Sequence, residues 1–162
     1  MSQGGTVMPE MTNEEVERYL AGIVGRTGQP ETVTVEFGAA RRMALALDDH
    51  DPIYYEMEAA RARGYRGVVA PWPLLWLFYF NCSDNNVHGD IPFGKATVHG
   101  QDEYEYYEPI IVGDAITTHT AIVDARIKQG KSGRMGQIVE ERRFTNQNGT
   151  LCAVLRTTLL RR

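Results

Sequence analysis

The feature that most constrains the fold of this chain is an apolar run from Val68 to Phe80. Two prolines, Pro71 and Pro73, lie near its start, and proline is tolerated in the first turn of a helix. The apolar side chains that follow point to every side of such a helix, so all of its faces must be buried. The run is shorter than the roughly 20 residues that a membrane span needs. We therefore predict one helix, at about 71–81, that the rest of the chain covers.

The segments around this run have the patterns of an α+β protein. Helical patterns with capping residues or closing glycines cover the segments 12–24, 38–47 and 56–63. Alternating or β-branched patterns, separated by turns rich in Gly and Asn, cover the segments 32–37, 102–107, 115–127, 134–145 and 151–160. Helices come first and consecutive strands come last, which predicts a curved antiparallel sheet wrapped around the buried helix. The acids Asp102, Glu103 and Glu105 are predicted to lie on the solvated face of their strand.

Length and composition narrow the class of protein. A chain of 162 residues fits one domain, which we place at 12–162, after a disordered N-terminus at 1–11. The net charge is −4 and the basic residues are dispersed, which argues against nucleic acid or a membrane surface as a partner. Cys82 and Cys152 are predicted to be buried thiols of a cytoplasmic protein. The histidines have no ligand spacing, so neither a metal nor a cofactor is predicted.

The loop from Asp48 to Tyr54 contains three Asp and one His. One interpretation is a helix end and turn that the Asp side chains cap themselves. The other is a polar site for chemistry. The loop sequence alone leaves both open.

The order of elements, together with several motifs, resembles the hot-dog fold and its MaoC-like dehydratase and (R)-specific enoyl-CoA hydratase family. The similarity is greatest to the FAS1-like dehydratase domain, an N-terminal-type half that is catalytically degenerate. The residues that carry the resemblance are Asp49 to Tyr55, Ala59 to Tyr65, Val69 to Pro71, His99 to Tyr106, Pro109 and Gly113-Asp114. It covers nearly the whole chain from about Gly25.

The resemblance implies roles for the loop residues and also shows where this chain departs from the pattern. The family's catalytic Asp falls on Asp49, its Asn on Asp51 and its catalytic His on Tyr54. The His-Gly pair at the start of the family's buried helix, where a glycine N–H holds the thioester oxygen, falls on Pro71-Trp72. Tyrosine donates hydrogen bonds but is a poor proton acceptor at neutral pH. Loss of a positioned acid or base costs roughly 10²–10⁴-fold in rate.

The resemblance therefore implies a subunit of an (R)-specific enoyl-CoA hydratase or 3-hydroxyacyl-thioester dehydratase, acting on fatty or steroid acyl groups carried by CoA or an acyl carrier. We expect this chain to shape the substrate tunnel while a partner, a catalytic MaoC-like subunit, supplies Asp and His across a shared sheet edge. The predicted substrate-binding residues are Asp51, Trp72, Leu75, Trp76, Tyr79 and Phe80.

Two alternatives stay open. One is a self-sufficient homodimeric hydratase that uses Asp49 with His50 or Tyr54. The other is a non-catalytic acyl-CoA-binding protein of the same fold.

Overall fold

A computed structural model describes residues 11–76, 87–130 and 133–162. Its α-helices are α1 (Asn13–Ile23), α2 (Phe37–Ala46) and α3 (Met57–Ala62), and short 3₁₀ turns cover Pro52–Tyr54 and Trp72–Leu74. Its strands are β1 (Glu31–Thr34), β2 (Thr97–Tyr106), β3 (Ala115–Gly130), β4 (Gly133–Thr145) and β5 (Leu151–Arg161).

The strands form a five-stranded antiparallel sheet in the order β1-β3-β4-β5-β2. Strands β3, β4 and β5 make a meander of hairpins, as the turn residues predict. Strand β2 returns beside β5, and the short β1 lies beside β3. Both β1 and β2 are therefore outer strands of the described sheet, and the predicted α+β class is confirmed.

Helix α1 forms where its sequence begins with a capping box. Thr12 and Glu15 hydrogen-bond each other's backbone N–H at its start. Its buried residues are Val16, Leu20 and Ile23, which recur at helical spacing on one face. They pack against Ile122 and Ile138 of the sheet, and this apolar cluster covers one end of it.

The face of the sheet that carries Ile138, Glu140, Arg142 and Phe144 is called the inner face below, because all four side chains are buried. Phe144, the next residue after Arg142 on this face, belongs to a second apolar cluster, separate from the one around α1. That cluster also contains residues of α2, of the 70–75 segment and of β5, namely Ala40, Ala70, Leu74, Leu75, Ala153 and Leu155. On the inner face, the polar side chains of Glu140 and Arg142 thus lie between these two apolar clusters.

The described residues contain the beginning of the predicted central helix. Pro71 precedes the 3₁₀ turn, and helical backbone continues through Leu75 and Trp76. The remainder of the predicted helix, with Tyr79 and Phe80, lies outside the described residues, as does Cys82. Leu75 is buried in the second apolar cluster. Cys152 is a buried free thiol, as predicted.

Strand β2 differs from its prediction in two ways. It begins at Thr97, five residues before the acidic and aromatic alternation from which it was predicted. Glu103 and Glu105 are exposed as expected, but the prediction for Asp102 is wrong, since only 13% of its side chain is exposed. The register with β5 shifts between His99 and Gln101, and this bulge turns Asp102 towards the inner face.

Candidate active site

The acidic loop begins where α2 ends. Asp48 has a positive φ of 55°, a left-handed conformation that Asp tolerates better than most residues. The N–H of Asp49 then donates to the carbonyl of Ala44, 3.0 Å away. The chain therefore turns sharply at Asp48 and returns Asp49 towards the body of the molecule.

Asp49 is half-buried, and both its carbonyl and its carboxylate have partners. Its Oδ1 accepts a hydrogen bond from the N–H of Asp51 at 3.1 Å. Its carbonyl accepts one from the hydroxyl of Tyr55 at 2.6 Å. This is an Asx-type turn, so the structural interpretation of the loop holds for Asp49 whatever else this residue does.

Asp51 is held by the element that follows it. Its Oδ1 caps the 3₁₀ turn by accepting from the N–H of Ile53 at 3.1 Å, and its Oδ2 lies 2.5 Å from Nη1 of Arg63. The hydrogen bond from Arg63, followed by that from Ile53, lowers the pKa of this carboxyl below its ordinary value. Asp51 is therefore an ionised residue that links the loop to the end of α3.

Tyr54 takes the position at which the resemblance places a catalytic His. It is half-buried and packs on a cluster that includes Ile53, Ala60 and Val69. Burial raises the pKa of its hydroxyl, and the charges of Asp49 and Asp51 raise it further. The hydroxyl therefore stays protonated at neutral pH, so that it is available as a hydrogen-bond donor and not as a base.

His50 lies on the solvent side of the loop. Its Nε2 is 3.0 Å from Oδ1 of Asp48, and 71% of its side chain is exposed. The structure thus brings Asp49, Asp51 and Tyr54 together and pairs His50 with Asp48 instead.

The start of the central helix meets strand β2 through contacts between rings. The ring of Trp72 lies 4.2 Å from that of Tyr106, which in turn stacks on Tyr104 at 5.6 Å. The indole of Trp76 lies 6.1 Å from the His99 ring. These five residues are called the aromatic row. Trp72 and Trp76, predicted as substrate-binding residues, belong to this row. His99, Tyr104 and Tyr106 were not predicted there, and the alternation of acids and aromatics at 102–107 was the available signal for the two tyrosines.

The described ranges contain no group of three or more His, Cys, Asp or Glu residues that could hold a metal ion. Among the same residues, no helix is both long enough and apolar enough to cross a membrane.

The sheet order and the placement of the helix start define a hot-dog protein, the fold of MaoC-like hydratases and dehydratases. The chain superposes with a TM-score of 0.77 on a structure of the ChsH1-ChsH2 complex from Mycobacterium tuberculosis, at 19% identity over 91% of this chain and 96% of that one. A truncated HadBC complex of the same organism, described as a (3R)-hydroxyacyl-ACP dehydratase, gives a TM-score of 0.71 at 24% identity. That match covers 85% of this chain and 96% of the other.

The chain belongs to the family described as the FAS1-like dehydratase domain region, whose model matches residues 22–154. A UPF0336 protein of Saccharopolyspora erythraea is 33% identical over 106 residues, 62% of this chain and 67% of that protein. A probable enoyl-CoA hydratase alpha subunit of Thermomonospora curvata is 27% identical over 171 residues. The second match covers 93% of this chain but 53% of the longer relative. The predicted family is confirmed.

Proposed function

We propose that the chain is the substrate-shaping subunit of an (R)-specific enoyl-CoA hydratase or 3-hydroxyacyl-thioester dehydratase, and that a partner subunit supplies the catalytic Asp and His. The observation that carries the proposal is Tyr54, a protonated phenol at the position of the family's acid–base His. Substrates are acyl thioesters with a fatty or steroid acyl group on CoA or an acyl carrier.

The geometry of the loop supports this division of labour. Asp49 is kept, but its carboxylate already accepts from the N–H of Asp51, and His50 faces solvent. Of the other histidines, His88 lies beside Glu140, His99 beside Asp102 and His119 on β3, so no histidine of the described residues replaces the missing one. Because a positioned acid or base contributes roughly 10²–10⁴-fold, the loop alone is a weak catalyst.

The aromatic row supports the role in shaping the substrate. Trp72 and Tyr106 present large, partly exposed rings beside the helix start, where the family holds the thioester. Apolar and aromatic surface with a few polar groups is typical of ligand sites. An acyl group lying along this row would contact rings on two sides.

Strand β2 supports the need for a partner. It is ten residues long, and it is an outer strand of the described sheet. Val98 and Tyr106 on it and Tyr107 after it are large apolar side chains with 38–52% exposure. Uncovered edges of this length invite strand pairing. The similarity to two heteromeric complexes adds support for a second subunit at this edge.

Hydration of crotonyl-CoA, measured for the purified chain alone and after co-expression with a catalytic MaoC-like subunit, tests the proposal. We expect the hydration rate of the chain alone to be barely above background. The two co-expressed subunits together should turn over substrate. Robust turnover by the chain alone that disappears in Asp49→Asn would establish the self-sufficient homodimer instead. Saturable acyl-CoA binding without turnover, even beside the catalytic subunit, would establish a binding protein.

A gain of function at Tyr54 tests the observation behind the proposal. Tyr54→His places an imidazole in the field of Asp49 and Asp51, and we expect it to raise hydration by the chain alone by about tenfold or more. Tyr54→Phe, which removes only the hydroxyl, is the matched control and should change nothing. An equal response of the two variants would contradict the assigned role of this position.

A further inference from the structure

A bulge in β2 brings a histidine and a carboxylate together outside the loop. Side chains three residues apart in a regular strand point to opposite faces. Here the register skips Gly100, so that His99 pairs with Leu159 and Asp102 with Thr157. Those two residues lie beside Ile138 and Glu140 of β4, so both His99 and Asp102 point to the inner face.

The bulge places His99 Nε2 3.2 Å from Asp102 Oδ2. Gly100 suits this geometry, because a Cβ there would lie 3.0 Å from the carbonyl oxygen of Thr158 and 3.4 Å from the Leu160 side chain. A bulge that re-aims side chains is a recurrent device beside active sites. The sequence His-Gly-Gln-Asp therefore encodes a specific pairing and not an ordinary stretch of strand.

The surroundings of His99 and Asp102 are those of a ligand-binding site and not those of an ion pair on the surface. The His99 side chain is 48% exposed and lies against Trp76, while that of Asp102 is 13% exposed. Asp102 Oδ1 and the Tyr104 hydroxyl are buried and have no hydrogen-bond partner within the described residues. Burial raises the pKa of Tyr104, and the charge of Asp102 raises it further, so that its hydroxyl remains a donor.

We propose that His99 and Asp102 form a second acid–base pair, which acts on an enoyl thioester held against the aromatic row. The inference rests on the proposed hydratase reaction and adds to it a proton-transfer group from this chain. A carboxylate beside one ring nitrogen fixes the orientation of an imidazole and stabilises its protonated form. Because Asp102 lies at Nε2, Nδ1 is the nitrogen that exchanges protons with the substrate.

The step is balanced with water as the co-reactant. Nδ1 of His99 accepts a proton from a water molecule while the water oxygen forms the new C–O bond at the β-carbon. The electrons of the carbon–carbon double bond move to the α-carbon, which then takes the proton from Nδ1. The products are the 3-hydroxyacyl thioester and neutral His99, and the reverse sequence is dehydration.

The experiment uses the complex with a catalytic MaoC-like subunit whose own loop Asp has been changed to Asn. We expect residual hydration of crotonyl-CoA above background, because His99 remains. His99→Gln should lower that residual kcat on the order of 10²-fold, with KM changed little, and Asp102→Asn should lower it similarly. His119→Gln, the same change at an exposed residue of β3, is the matched control.

The outcomes separate this inference from the proposed function. Residual turnover that survives His99→Gln, or no residual turnover at all, overturns the second pair. Failure of the unmodified complex to hydrate crotonyl-CoA overturns the proposed function. In that case the same variants, measured in the chain alone at high protein concentration, still decide whether His99 transfers protons.

Discussion

Asp114 is a fully buried carboxylate that anchors the segment leading to the helix start. Arg66 donates to both of its oxygens, the N–H of Ile111 donates to Oδ2 at 2.8 Å, and Gln147 donates to Oδ1 at 3.0 Å. The side chain of Asp114 is 0% exposed, whereas that of Arg66 is 52% exposed. One residue thus ties the segment before Pro71 to the loop before β3.

Asp114→Asn is expected to destabilise the protein by about 2 kcal/mol, because it weakens hydrogen bonds from a charged donor to a buried group. The measurement is urea unfolding at neutral pH. Asp124→Asn is the control, since Asp124 pairs with Arg126 at the surface and such pairs contribute at most about 1 kcal/mol. Equal effects of the two changes would contradict the anchoring role of Asp114.

The contribution of Asp114 to the stability of the folded protein depends on pH in a direction that its pKa fixes. Burial raises the pKa of Asp114, but the hydrogen bonds from Arg66, Ile111 and Gln147 outweigh it and hold the pKa below its ordinary value. A lowered folded-state pKa stabilises the protein above the unfolded-state pKa, and that stability is lost as the pH falls through the lowered pKa. The acid-side loss of stability should therefore be smaller in Asp114→Asn than in the unmodified protein.

At the scale of elements, the segment before β2 is anchored by close packing on β4. A Cβ at Gly136 would lie 2.4 Å from the ring of Phe93, which shows that this ring occupies the space above the glycine. Phe93 also meets Tyr19 of α1 edge-on at 6.0 Å. The carbonyl of Phe93 accepts from Arg161 at 2.8 Å. Helix α1, β4 and β5 therefore all fix where β2 begins.

Gly136→Ala is expected to destabilise the protein by about 1–3 kcal/mol, because the added methyl group displaces Phe93 from a well-packed site. Gly22→Ala is the matched control. Gly22 lies in α1 with open space around it, and alanine there should stabilise the helix by up to about 1 kcal/mol. Thermal unfolding of both variants gives the comparison, and a stabilising Gly136→Ala would show that Phe93 does not need the glycine.

At the scale of the whole molecule, the proposed site of assembly with copies or partners is the outer edge of β2. Val98→Lys adds a charge to that edge, and an edge lysine opposes strand pairing. We expect it to weaken association of the chain with itself or with a catalytic subunit, measured by sedimentation velocity. Val123→Lys on β3 replaces another exposed valine and should leave association unchanged. Equal association by both variants would place the interface elsewhere.

Much of the fold follows from local sequence. The cap residues at the start of α1, the turns that bound β4 and β5, and the prolines on either side of Trp72 each predicted an element close to its observed position. The bulge at Gly100 was not predicted, because a glycine within a strand pattern does not reveal which partner its neighbours face. As a result, Asp102 was assigned to the wrong side of β2.

The sequence by itself determined the class and the family, and it gave the prediction that Tyr54 takes the position of the family's His. These depend on residue types at fixed spacings along one chain. Tertiary structure alone decided that His50 faces solvent beside Asp48 and that His99 meets Asp102. It also decided that the ring of Trp72 lies against that of Tyr106. These contacts depend on strand register and on the packing of segments far apart in sequence, which local periodicity does not specify.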